Sequence, residues 1–243
     1  MTGDLFDERP VRRVQRHPEA QVEDDRWPYT VPAVAQLLRE GLDLPPGVTF
    51  LVGENGAGKS TVVEAVAAAA GLNAEGGSPN ARHATRASES PLHAALQVVR
   101  SAGAARWGYF LRAETMHGLY TYLEESGDPA PPLHEMSHGE SFLEVLARNF
   151  ARPGFYVLDE PEAALSFTSC LALVETLGDL RAAGAQVLCA THSPLLTALP
   201  GATILELDEH GYAPTAWDDL AVVGHWRSYL DDPRRYLRHL GAG

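Results

Sequence analysis

The sequence almost lacks lysine. Of 19 cationic side chains in 243 residues, only Lys59 is a lysine, and the other 18 are arginines. Positive charge as a whole is scarce. With 32 acidic residues the formal net charge is −13, which opposes broad electrostatic adhesion to nucleic acid or to anionic membrane. A local basic stripe stays open, because Arg12, Arg13 and Arg16 cluster, as do Arg227, Arg234, Arg235 and Arg238. Solvated surface arginines are the simpler account of both clusters.

Cysteine is limited to Cys170 and Cys189, both in apolar segments, which predicts buried free thiols rather than a disulfide. Long apolar runs are missing too. The longest, "TVVEAVAAAA", is broken by Glu64 and is too short to span a bilayer. The N-terminal "MTGDLFDERP" is charged and has no apolar signal-peptide core. Together these absences predict a cytoplasmic protein with no membrane insertion. What is present, 45% hydrophobic and 21% charged residues, suits a chain that buries a full core. The length suits a single domain over 1–243.

Strand-like and helix-like segments alternate. "VRRVQRH" (11–17) can form a first strand, "VPAVAQLLREGL" a helix ended by Gly41, and "VTFLV" (48–52) a strand buried on both faces. "STVVEAVAAAAG" reads as a helix stopped by Gly71, and 73–91 as a long loop rich in Gly, Ser, Asn and Pro. "LHAALQVVRSAG" is helical in character, "WGYFLRAE" strand-like, and "TMHGLYTYLEES" a short helix. Then follow a helix in "SHGESFLEVLARNF", a strand in "FYVLDE", a long helix, strands in "AQVLCATHS" and "ATILEL", and a helical tail over 218–243. This order predicts an α/β fold, a mainly parallel sheet flanked by helices. Residues from about 91 to 150 would include a small helical subdomain.

"GENGAGKS" (53–60) carries the first chemistry. It fits G-x4-G-K-[ST] between a strand and a helix. Gly53, Gly56 and Gly58 let the backbone turn its N–H groups toward phosphate oxygens, and the helix N-terminus adds a favourable dipole. Glu54, Asn55, Ala57 and Thr61 complete the nucleotide-binding stretch. Ser60 offers a hydroxyl to Mg²⁺, and Lys59 reaches the phosphates as a compact charge. That answers why this one cation is a lysine: a broad guanidinium fork does not fit where a thin ammonium stem does.

"FYVLDEP" ends an apolar strand in Asp159 and Glu160. Two carboxylates at the end of a buried strand are costly unless a cation or a reaction uses them. Asp159 suits Mg²⁺ and Glu160 suits polarisation of an attacking water. Upstream, "MSHGE" (136–140) opens a helix. Downstream, "ATHSP" ends another strand in His192.

The order of these motifs resembles the ATP-binding cassette (ABC-type) P-loop ATPases, in the branch of SMC, Rad50 and RecF. Within it, "FLRAE" and "SHGES" look like stretches of small stand-alone bacterial ATPases. The resemblance spans about 48 to 208. It implies that Ser137, His138, Gly139 and Glu140 form the signature acting on a partner's ATP. It further implies catalytic roles for Lys59, Glu160 and His192, a D-loop at 163–166, and Glu114 as a glutamine-loop metal ligand. Adenine would lie against Trp27, Tyr29, Arg12 or Arg13. The cofactors implied are ATP and Mg²⁺. The partners implied are a second copy of the chain, in an ATP-sandwich homodimer, and an unidentified protein or nucleic acid. Three departures bear on turnover: His138 replaces a glycine, Glu114 and Glu140 replace glutamines, and Ser166 replaces an aspartate.

The spacing narrows the partner. Lys59 and Asp159 are 100 positions apart, so no long coiled arm is inserted between them. The short stretch from Glu114 to Ser137 leaves about two helical turns plus a loop, which disfavours a transporter motor. An ATPase that drives a partner, a dimerising nucleotide switch with little turnover, and a transporter subunit are the alternatives.

Overall fold

A computed structural model describes residues 9–73, 90–113, 138–150 and 152–238. Its main body is a six-stranded sheet. In spatial order the strands are β5 (Gly108–Arg112), β6 (Phe155–Asp159), β7 (Gln186–Thr191), β3 (Val48–Gly53), β8 (Thr203–Asp208) and β9 (Gly211–Pro214). The first five run parallel, and β9 returns antiparallel to β8. A second, antiparallel sheet holds β2 (Leu42–Asp43), β1 (Arg13–Arg16) and β4 (Leu96–Val99), in that order.

The central strands are predominantly apolar because helices cover both faces. Side chains alternate along each strand. Phe50, Val52, Tyr156, Leu158 and Cys189 therefore enter one core, with α3 (His138–Asn149) and α4 (Phe167–Ala182). Leu51, Phe155, Val157, Leu188 and Ala190 enter the other, with α1 (Pro32–Glu40) and α2 (Lys59–Ala69). The mainly parallel sheet flanked by helices is as the sequence predicts. Cys170 and Cys189 are buried and free.

The small sheet corrects the sequence reading. Residues 96–99 form a strand, not a helix, and pair with β1 from Arg13↔Val99 to Arg16↔Leu96. Only 91–95 keep a helical turn, of 3-10 type. "LQVV" is short and carries two β-branched valines, so a waiting strand edge outweighs its weak helical preference. β9 was also not foreseen.

Gln186, at the start of β7, joins the two sheets. Its side chain is 2% exposed. It accepts from Val11 N at 2.9 Å and donates to Val11 O, Leu44 O and Pro45 O at 2.7, 3.0 and 3.1 Å. The tail forms α5 (Ala221–Asp231) and α6 (Arg234–Leu237). Among the described residues, no helix is long and apolar enough to cross a membrane.

Candidate nucleotide site

The C-terminal ends of parallel strands form the natural crevice of such a sheet. Here β3 ends in the glycine loop, β6 in Asp159 and Glu160, and β7 in His192. The register aligns Val52 with Thr191 and Asp159 with Ala190, so the three strand ends lie level. β7 stands between the other two. The strand carrying the histidine thus separates the glycine loop from the paired acids.

Two glycines of the loop have left-handed backbones, Gly56 (φ 84°) and Gly58 (φ 94°), which only glycine adopts without strain. A Cβ on Gly58 would lie 2.5 Å from Val31 Cγ1, so the entry to α1 packs directly on the loop. Lys59 opens α2 and is 4% exposed. Its ammonium donates to Gly53 O at 2.9 Å and Glu54 O at 3.1 Å, tying the loop's entry to its exit. Burial holds the Lys59 pKa below the ordinary lysine value, while the charges of Glu160, Asp159, Glu162 and Glu54 push it back up.

Asp159 is 3% exposed, with Arg112 Nε 3.4 Å from its Oδ2. Glu160 has φ 47° and ψ 50°, the one non-glycine residue with positive φ among those described. That conformation costs about 1–2 kcal/mol. Its N–H donates to Ala190 O at 3.0 Å, across to β7. Its Oε1 lies 3.3 Å from His192 Nε2. Glu162 fixes the base of that histidine: one carboxylate oxygen accepts from Thr191 Oγ1 at 2.7 Å and from His192 N at 2.5 Å.

Two cavities flank the loop. One, of 190 Å³, is lined by Trp27, Asn55, Gly56, Lys59, Thr61 and Glu160. The other, of 560 Å³, is lined by Asn55, Ala57, His192, Glu206, Asp208 and Val222 among others. A larger cavity, of 720 Å³, sits at the opposite ends of the strands beside Arg9, Gly47 and Arg181 and meets none of the expected site residues.

Between them the two cavities are lined by Gly53 to Thr61, Glu160, His192 and Trp27. Of the adenine candidates, Trp27 lines the smaller one. Tyr29 packs on the second core. Arg13 pairs with Asp43 at 2.7 Å and with the Glu40 carbonyl, and Arg12 is exposed in the bend just before β1. Gly139 and Glu140 lie in the first turn of α3, which packs beside the turn after Glu160. Glu114 and Ser137 lie outside the described residues, and for His138 only its place at the start of α3 is described. Ser166, where the family pattern has an aspartate, caps α4 by accepting from Ser169 N at 3.2 Å.

Three residues escaped the sequence reading: Glu162, Arg112 and Glu64. Glu162 had a signal, a third acid directly after "DEP". Arg112 meets Asp159, and Glu64 meets Arg112, only through tertiary packing.

The donors fit Mg²⁺. Among the described residues no cluster of three side chains forms a metal cage. Magnesium needs none, since it is held by one or two protein oxygens together with substrate phosphates. Asp159 and the Ser60 hydroxyl would supply those oxygens.

Comparisons with known proteins bear on the family of the chain. Residues 105–198 match a family described as "AAA domain, putative AbiEii toxin, Type IV TA system", and residues 37–96 match a second described as "AAA domain". The cytochrome c biogenesis ATP-binding export protein CcmA of Paramagnetospirillum magneticum is 30% identical over 190 residues, covering 69% of this chain and 84% of the relative. The ribose import ATP-binding protein RbsA of Roseobacter denitrificans is 32% identical over 187 residues, covering 67% of this chain and 37% of the relative. The chain thus matches little more than a third of that import protein's length. The SMC head domain from Thermotoga maritima superposes with a TM-score of 0.43 at 16% identity, covering 72% of this chain and 92% of that one. With its ordered motifs on level strand ends and its likeness to CcmA, the chain belongs to the ABC-type P-loop ATPases, which hydrolyse ATP.

Proposed function

We propose that the chain binds Mg-ATP on the glycine loop and hydrolyses it between two of its own copies, closing on ATP and opening after hydrolysis to act on a partner protein or nucleic acid. The observation that carries this reading is the Glu160–His192 pair beside the Lys59 loop. Lys59 exchanges its carbonyl partners for phosphate oxygens. Glu160 takes a proton from the attacking water, and His192 orients that water and the terminal phosphate. Magnesium, when bound, neutralises developing phosphate charge, with Ser60 and Asp159 as its holders.

Support for a second copy comes from exposure. The Glu160 and His192 side chains are 38% and 33% exposed, whereas hydrolysis needs a water-excluding cover. Beside Ser166, Phe167 and Leu171 are 65% and 48% exposed, an apolar step suited to contact. One chain carries one signature, so a second would face the loop. The decisive measurement is ATPase rate against protein concentration. A rate rising faster than first order is expected, together with an ATP-dependent dimer for Glu160→Gln. Strict first-order behaviour with a monomeric Glu160→Gln would sink the dimer.

A second reading, the ATP-binding subunit of a transporter, draws support from the import and export relatives. Stable co-purification with membrane from cell extracts, lost in high salt, would favour it.

A further inference from the structure

Arg112, at the end of β5, meets two carboxylates at once. Its Nε lies 3.4 Å from Asp159 Oδ2, and its Nη1 lies 3.3 Å from Glu64 Oε2. The parallel register sets Arg112 directly beside Asp159. Glu64 sits on α2, one turn beyond Ser60. The Arg112 and Glu64 side chains are 24% and 17% exposed, and Asp159 is 3% exposed. In so dry a setting a charge without a counter-charge is costly, and pairing decides which arrangement is stable.

The carboxylate expected to serve magnesium therefore already carries a cation. Two cations against one buried carboxylate repel each other. A divalent ion serving Asp159 has to weaken the Arg112 contact. Glu64 gives the guanidinium somewhere to stay: it is already in contact and needs no excursion to solvent. The planar guanidinium, with donors on separate nitrogens, can hold two carboxylates at the same time.

We propose that Arg112 is a built-in competitor for the metal: its guanidinium neutralises Asp159 before magnesium arrives and opposes metal binding there, while Glu64 draws the guanidinium off. This rests on the Mg-ATP reading of the site. Arg112 and Glu64 then act as positioning residues that set how much metal the site requires, and they do so with opposite signs.

The test is a Mn²⁺ titration, followed by loss of the free-ion EPR signal, with ATP held below the protein concentration so that it is all bound, on the Glu160→Gln background. Arg112→Gln should lower the half-saturating Mn²⁺ by about threefold or more. Glu64→Gln, which removes the charge of one of the two carboxylates described at Arg112, should raise it by a similar factor. Arg112→Lys, which keeps a competing charge, should stay near the parent value. Shifts of the same sign in Arg112→Gln and Glu64→Gln, or no shift, would overturn the proposal. Should Arg112→Gln fail to fold, the sign of the Glu64→Gln shift decides alone. Fluorescent-ATP binding at saturating Mg²⁺ separates the two levels: no ATP binding by the parent sinks the nucleotide reading and this inference with it. Normal ATP binding with unmoved Mn²⁺ constants sinks only this inference.

Discussion

His192 Nε2 stands 3.3 Å from Glu160 Oε1, joining the tips of two neighbouring parallel strands. Glu160 reaches that position through a left-handed backbone at φ 47°. Strain of this kind is held in place by the structure around it. Here the restraint is the hydrogen bond from Glu160 N to Ala190 O. Glu160→Gly is expected to relieve the strain and raise stability by about 1 kcal/mol while abolishing ATP turnover. Glu160→Gln should abolish turnover without that gain. Chemical denaturation beside a phosphate-release assay checks both, and a Gly variant less stable than the parent would refute the strain argument.

Glu162 acts through its neighbour. Its carboxylate receives both the Thr191 hydroxyl and the His192 N–H. Glu162→Ala leaves those donors without their acceptor, at a cost of about 1–3 kcal/mol. The expected result is a kcat reduced at least about tenfold with little change in ATP affinity, since about 1.4 kcal/mol is one decade. Glu162→Gln, which keeps an acceptor oxygen, should retain more activity. Equal losses in kcat and ATP affinity would point to general damage to the loop instead.

Lys59 makes two predictions in one place. Its ammonium fills the space between Gly53 O and Glu54 O and is 4% exposed. Lys59→Arg, though it keeps the charge, is expected to weaken Mg-ATP binding severely, and unchanged affinity by titration would refute this. Burial lowers the Lys59 pKa in the free protein, and bound phosphates favour the charged form and raise it. ATP binding should therefore take up a proton at alkaline pH, and affinity should fall as pH rises through the depressed free-state pKa. Calorimetry in buffers of different ionisation enthalpy reads that proton. The folding linkage follows the same sign. The unfolded chain binds this proton more tightly, so the Lys59 contribution to stability rises with pH between its depressed value and the ordinary lysine value.

Gln186 holds the small sheet to the large one through four hydrogen bonds. Gln186→Leu fills similar space but leaves buried backbone groups without partners. A loss of about 2–3 kcal/mol is expected, measured by urea denaturation. A loss below 0.5 kcal/mol would mean that the segment at Val11 and Leu44 is held by its apolar packing.

Local pattern made much of this protein legible. "VTFLV", "FYVLD" and "QVLCAT" are predominantly apolar because each is covered on both faces, and that signal needs no partner to be read. The glycine loop, its single lysine and the acids after "FYVL" are likewise contiguous, so their chemistry follows from spacing. "LQVV" misled for the opposite reason: four residues have too little preference of their own, and the edge offered by Arg13–Arg16 decided their state.

The sequence by itself determined which side chains end the strands and what chemistry they could perform. Only the tertiary structure decided the order of those strands, with the His192 strand between the loop and the acids. It alone decided that Arg112 should meet Asp159 and Glu64 from distant parts of the chain, and that Glu160 should bend into a left-handed turn. The physical reason is range. Backbone preference and hydrophobic period act over a few residues, whereas strand order, ion pairing and tolerated strain are set by packing across the whole core.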